Sequence, residues 1–261
     1  MTLRLCILGN SHVAALRDAW MQHPGRWPDL TLHFLAAPKD GLLHTTVQDG
    51  RLVPTCDSSR TALLHSCGTS DITLADHDGF VVAGASICLQ SILPLYRDAR
   101  WHGLPSFARD TDVVASISGA AAQAAMTAVL QDRMGSILVS RLRANTDLPI
   151  VLTSQPRISA AVLRSPRPEM RLHKVAIDHG DSNALGANFD TAALGLFAGL
   201  GCRFLPQPPQ TVSHGVLTDL AFMNGALRLT AALTQPQLKT DISHANALYG
   251  ALLIDQIVAA F

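Results

Sequence analysis

Short apolar runs alternate along the chain with longer stretches of helical period. Residues 3–8 form an apolar run halted by Gly9 and Asn10, the mark of a buried strand. From Ser11 the period lengthens: Val13, Leu16, Trp20 and Met21 fall on one helical face, with Ser11 placed as an N-cap. Residues 30–37 predict a second strand, followed by a turn at Pro38-Lys39-Asp40-Gly41. Residues 42–55 predict a hairpin closed by Asp49-Gly50, with Val47 before it and Leu52 and Val53 after. Phe80-Val81-Val82-Ala83-Gly84 is a third core strand, and 87–96 are compatible with a helix. Aromatics, prolines and charges make 100–112 a loop, and the Ala-rich stretch 113–144 predicts a long helix broken near Gly135. A fourth strand at 149–153 ends at Gln155-Pro156, and 164–168 read as a polar loop. Residues 182–200 are helical in period, and 202–205 form a fifth strand stopped by Pro206-Gln207-Pro208-Pro209. Residues 247–260 form the closing helix.

Five strand-like runs separated by helical segments imply a parallel sheet covered on both faces. The expected fold class is α/β, a three-layer α/β/α sandwich with a five-stranded parallel sheet, organised as a single domain over residues 1–261. Composition agrees: 48% of the 261 residues are hydrophobic and only 15% charged, so a substantial core is expected. The formal net charge of zero lacks the basic surface of a nucleic-acid binder. The apolar stretches are too short to span a bilayer. No signal-peptide layout precedes the first strand. The five cysteines (Cys6, Cys56, Cys67, Cys88, Cys202) are odd in number and irregular in spacing, so neither a disulfide framework nor a zinc pattern is expected. A reducing cytoplasm is the compartment these features point to. Asp76-His77-Asp78 and Asp178-His179-Gly180-Asp181 carry metal-ligand residue types but read as surface turns, so no metal is expected. The pattern leaves the oligomeric state open.

Candidate chemistry sits at the two ends. Gly9-Asn10-Ser11-His12 ends the first strand and opens a helix, which puts Ser11 at the carboxyl edge of the sheet, where open α/β folds bind ligands. The helix N-terminus adds backbone N–H donors suited to an oxyanion. Asp241-x-x-His244 precedes the last helix. Taken alone, each has a plainer reading: Ser11 as an N-cap, Asp241 as the cap of the last helix, His244 as a packed histidine. A carboxylate three residues before a histidine nevertheless reaches the ring Nδ1–H and fixes its tautomer, turning Nε2 outward to take a serine proton. The pairing of the two motifs favours that second reading.

With those residues in place, the chain resembles the SGNH (GDSL-type) hydrolase superfamily, whose fold is a flavodoxin-like α/β/α sandwich. The variant with His12 directly after Ser11 is similar to SGNH domains that modify bacterial polysaccharides with acyl groups. His244-Ala245-Asn246 with Tyr249-Gly250 resembles the C-terminal block of such proteins. The resemblance implies Ser11 as nucleophile, His244 as general base and acid, and Asp241 as the acid that orients it. It also implies an oxyanion hole built from the N–H groups of Ser11 and Gly41. The family's third block, Gly-x-Asn-Asp, is occupied by Gly84-Ala85-Ser86-Ile87, so Ser86 stands where the family has an asparagine donor. Loss of one such donor typically costs about 10²–10³ in rate. Asn10 replaces the usual aspartate before the serine, at a position that mainly shapes the turn.

Asn10, His12, Gln155 and Arg157 are candidates to line the substrate site, and Trp101, His102 and Phe107 are candidates for a lid or for a plug in a hydrophobic gap. The expected function is a serine-dependent acyl esterase or acyltransferase that needs no cofactor. Its expected partner is a small-molecule or glycan ester: an acylated carbohydrate or a similar small ester. The alternative is a non-hydrolytic SGNH-like protein that keeps the fold and binds coenzyme A, a nucleotide or a glycan. A purely structural role leaves the paired end motifs unexplained.

Overall fold

Core strands that are apolar on successive residues can be buried on both sides, and this chain builds the centre of its sheet from such strands. The computed structural model describes residues 2–109, 115–165 and 170–261. In chain order it begins with β1 (Leu3–Gly9), α1 (Val13–Gln22) and β2 (Leu30–Ala36). An excursion follows: β3 (Thr45–Gln48), β4 (Arg51–Pro54), α2 (Asp57–Cys67) and β5 (Ile72–Thr73). Then come β6 (Gly79–Ala83), α3 (Leu93–Asp98), β7 (Ala99–Trp101), β8 (Ala115–Ile117), α4 (Gly119–Gln131) and α5 (Met134–Arg143). The chain continues through β9 (Ile150–Thr153), α6 (Arg171–Asp178), α7 (Ser182–Gly199) and β10 (Arg203–Leu205), and closes, after a long irregular segment, with α8 (Ala247–Val258).

The main sheet has strand order β10-β9-β6-β1-β2, with every neighbouring pair parallel. Side chains alternate between its faces, as the strand period of two requires. Cys6, Leu8, Phe80, Val82, Ile150 and Leu152 join one core, with residues of α4, α5 and α7. Leu5, Ile7, Val81, Ala83 and Val151 join the other, with α1 and α8. The result is the three-layer α/β/α arrangement that the alternation of elements predicts. From β1 the chain moves outward to β2, then returns to the other side of β1 for β6, β9 and β10. The order therefore reverses between β1 and β6, and the crevice beyond their carboxyl ends is the switch point where α/β folds take ligands. No helix among the described residues is long and apolar enough to cross a membrane.

Of the hairpin expected at 42–55, Thr45–Gln48 pairs with Arg51–Pro54 around Asp49 and Gly50, both with positive φ (49° and 72°) as a tight two-residue connection needs, while 42–44 belong to the 3-10 turn Gly41–His44. A third strand, β5, extends it into a small antiparallel sheet. The Ala-rich stretch departs from expectation. Residues 110–114 and 166–169 lie outside the described residues, so parts of the predicted 100–112 loop, the start of the 113–144 helix and most of the 164–168 loop are not described. Ala115–Ile117 is a strand paired with β7 rather than helix, and β7 itself takes Arg100 and Trp101 out of the predicted loop. The helix that follows breaks at Asp132 and Arg133, two residues before Gly135. Residues 87–96 are a 3-10 turn, Leu89–Ile92, running into α3.

Each of the two expected surface turns also carries one buried residue, while Asp76, Asp178 and Gly180 stay exposed. Asp181 is fully buried, accepting hydrogen bonds from the Tyr96 hydroxyl (2.8 Å), the Ser106 N–H (2.8 Å) and the Ser106 hydroxyl (2.5 Å). Arg100 lies 3.8 Å from it and stacks on Tyr96. His77 is buried and held between Thr73 O and the ring of His33. Trp101 is 1% exposed, so of the two readings of that segment it fills the hydrophobic gap.

Candidate active site

Strand β1 ends at Gly9, and the next three residues turn before α1 begins. The turn is closed by Val13 N–H to Asn10 O (3.1 Å) and Ala14 N–H to Ser11 O (3.2 Å). The helix starts at Val13 with no side-chain cap, so Ser11 does not serve as the N-cap its sequence position suggests. Its Oγ lies 2.9 Å from His244 Nε2.

His244 comes from the other end of the chain. Its Nδ1 is 3.1 Å from Asp241 Oδ1, and its backbone N–H donates to Asp241 Oδ2 at 2.9 Å. A carboxylate only accepts, so Nδ1 carries the proton and Nε2 is left to accept from Ser11. Burial alone would raise the Asp241 carboxyl, but the hydrogen bonds from the His244 ring and backbone outweigh it and hold the group below its ordinary value. Asp241 does not cap the last helix. Asn246 does, accepting from Leu248 N–H (3.0 Å) and Tyr249 N–H (3.2 Å). The Asn246 amide also donates to Ala221 O (2.8 Å) and Asn224 O (2.7 Å), tying the irregular segment to α8.

The approach of α8 to α1 sets the distance between the two halves. Gly250 lies directly on the Ala15 carbonyl, so close that a methyl group there would collide with backbone. Without that contact the residues ahead of α8 would not sit over the turn ahead of α1.

His12 stacks on His244 with ring centroids 4.8 Å apart and planes inclined by 20°. Burial first, and then the neighbouring His244, push its pKa down to about 3, with Asp241 partly opposing. His12 is therefore a neutral ring against the face of His244, and its Nδ1 is buried with no hydrogen-bond partner among the described residues. Asn10 is only 4% exposed and turns inward, its Oδ1 accepting the His12 N–H at 3.3 Å.

The loops after β2 and β6 flank this group. Gly41 N–H donates to Pro38 O (3.2 Å), closing the predicted turn, and the Ser86 hydroxyl donates to Asp40 Oδ1 (2.6 Å). Of the donors the sequence offers for an oxyanion, the Gly41 N–H and the Ser86 hydroxyl are thus engaged within these loops. Gly84, Ala85 and Ser86 all have positive φ (74°, 45° and 62°), and Ile87 N–H closes on Gly84 O at 2.9 Å. Only glycine adopts such a backbone freely, so Ala85 and Ser86 are strained, and such strain persists where surrounding contacts fix it. Here the fixing bonds are Gly135 N–H to Ala85 O (2.7 Å), Gly84 N–H to Thr153 O (2.9 Å) and Gln155 N–H to Ile87 O (2.8 Å).

Gln155 is half-buried beside Gly84. Arg157 does not join the group: its side chain is 7% exposed, and its guanidinium donates to Gly215 O (2.6 Å) and Asp190 (2.9 Å). Burial raises the Asp190 carboxyl, and Arg157 partly restores it. Two clefts, of about 400 and 360 Å³, open beside Asp241, and Gln237 and Leu238 line both. A third cleft of about 430 Å³, lined by His33, Phe34, Asp71 and His77 among others, lies along β2 and includes none of Ser11, Asp241 and His244. The sequence reading missed the Ser86–Asp40 clasp and the His12–His244 stack. A helix-capping asparagine directly before an apolar helix was the available signal for Asn246.

No known family model matches the chain. No curated protein matches it in sequence. Among solved structures it is similar to the periplasmic domain of a lipopolysaccharide acetyltransferase from Salmonella ser. Paratyphi A, at 12% identity over 100% of this chain and 84% of that one, with a TM-score of 0.46. That likeness is too loose to carry an argument about the reaction.

Proposed function

We propose that the protein is a serine-dependent acyl esterase or acyltransferase of the SGNH type, with an acylated carbohydrate or similar small ester as substrate. The observation that carries the reading is the hydrogen-bonded series Ser11 Oγ, His244 Nε2, His244 Nδ1, Asp241 Oδ1, with separations of 2.9 and 3.1 Å. Those are the distances at which a base takes a hydroxyl proton and a third group holds the base in its tautomer. In the proposed reaction Ser11 Oγ bonds to the acyl carbon as its proton passes to His244 Nε2. The carbonyl electron pair moves onto oxygen, and Asp241 stabilises the imidazolium. The intermediate then collapses: the bond to the alcohol breaks, and that alcohol leaves with the His244 proton. Water or a sugar hydroxyl, deprotonated in turn by His244, releases the acyl group and returns Ser11. The carbohydrate class rests on the Gly-Asn-Ser-His pattern alone.

A second reading is favoured by the engagement of the Gly41 N–H and the Ser86 hydroxyl elsewhere. In it the protein binds coenzyme A, a nucleotide or a glycan without turnover. A p-nitrophenyl ester series of increasing acyl length separates the two. The acyl-transfer reading expects hydrolysis of the short esters, reduced at least about 10³-fold in Ser11→Ala. Equal, background-level release by wild type and Ser11→Ala, with thermal stabilisation by one of those ligands, would favour binding alone.

A further inference from the structure

We propose that Gln155 supplies the side-chain donor of the oxyanion hole, a role that rests on the acyl-transfer reading of the site. The proposal begins with register. Gly9 pairs with Ala83, and Ala83 with Thr153, so the ends of β1, β6 and β9 lie on one rung of the sheet. Ser11 and Gln155 each stand two residues beyond that rung, on strands separated only by β6. Adjacent strands lie about 4.8 Å apart, so the ends of β1 and β9, from which the two residues extend, are about 10 Å apart. That gap is the combined reach of a glutamine side chain, one hydrogen bond and a carbonyl group bonded to the serine oxygen.

The approach of the two segments depends on a residue without a side chain. A Cβ on Gly84 would lie 2.8 Å from Asn10 Oδ1, 3.2 Å from His12 Cβ and 3.3 Å from Gln155 Cγ. The residues on either side of the nucleophile and the stem of Gln155 therefore converge on one glycine. The backbone of Gln155 is fixed to the same loop through its N–H on Ile87 O at 2.8 Å. Its amide makes no side-chain hydrogen bond among the described residues, whereas the hydroxyl of Ser86 is bonded to Asp40 at 2.6 Å.

When Ser11 adds to the carbonyl, the charge that forms on oxygen accepts a hydrogen bond from Gln155 Nε2–H. No proton is transferred. The donor acts on charge present in the transition state and hardly at all on the neutral ester, so its loss falls on kcat rather than KM. Gln155→Glu tests this with almost no change in shape, and Gln155→Ala removes the group altogether. The expected result with p-nitrophenyl acetate is a fall in kcat of about 10²-fold or more in both variants, with KM and Tm nearly unchanged. Phosphonylation of Ser11 by an alkyl fluorophosphonate, which also places charge on oxygen, should slow in parallel. If wild type reacts at Ser11 and Gln155→Glu reacts within about threefold of it by both measures, the donor role is wrong and the acyl-transfer reading stands. If wild type reacts by neither measure, both fall together.

Discussion

At the residue scale, two imidazoles lie face to face beside Ser11, and only His244 is within hydrogen-bond distance of its hydroxyl. His12 remains neutral to about pH 3 because burial and the adjacent His244 disfavour its charged form. His173, on α6, is buried and likewise pushed down to about 4, with the Met170 backbone partly opposing. An unfolded histidine titrates near 6.5, so below that pH the unfolded chain binds protons that the folded chain refuses. Stability should therefore fall as pH drops from about 6.5 towards 4. Asp241 adds stability above its unfolded pKa, near 3.9, that is lost as pH falls through its lower folded value, so its share disappears only in stronger acid. Thermal unfolding between pH 7 and 4 checks this. His173→Leu should flatten the slope, and an unchanged slope would show that His173 is not one of the groups responsible. Ser11, Asp241 and His244 were legible as residues because serine, carboxylate and imidazole occur at element ends with a known mutual chemistry. Arg157 was misplaced because its partner Asp190 lies 33 positions away on α7, a pairing that no local pattern reveals. The engagement of Ser86, which stands in the family's donor position, was hidden for the same reason, its acceptor being 46 positions away.

At the element scale, the five strands of the main sheet were legible because runs such as 5–8 and 80–83 are continuously apolar and end in glycine. Residues 115–117 were not. Alanine scores as a helix former, but here pairing with β7 overrides propensity. α2 escaped notice because its sequence is largely polar and buries little beyond Ser59, Leu63 and Ser66. The element contact with most consequence is that of α8 on α1, where Gly250 meets the Ala15 backbone. Gly250→Ala forces the helices apart, and overpacking of this kind costs about 1–3 kcal/mol. Urea unfolding should report a loss in that range. Ester hydrolysis should fall by more than the unfolded fraction explains, because the helix shift draws His244 away from Ser11. A variant unchanged in both respects would remove α8 packing from the account.

At the scale of the whole molecule, chain order and function meet at one rung of the sheet. The reversal between β1 and β6 leaves a crevice at their carboxyl ends, and the N-terminal turn, the β6 loop and the end of β9 all open there. The C-terminal segment folds back across more than two hundred residues of sequence to bring His244 to Ser11. The sequence pattern made the layers predictable, and the resemblance of the end motifs joined the two segments. The loops between were beyond its reach because their bonds cross from one strand end to another. The central claim is that Ser11 is a nucleophile activated by His244. Its most direct test is fluorophosphonate labelling, followed by peptide-resolved mass spectrometry of wild type, Ser11→Ala and His244→Ala. The account predicts a covalent adduct on Ser11 in wild type, absent from Ser11→Ala and much slower to form in His244→Ala. An intact wild-type protein carrying no adduct on Ser11, or labelling at the same rate without His244, would contradict it.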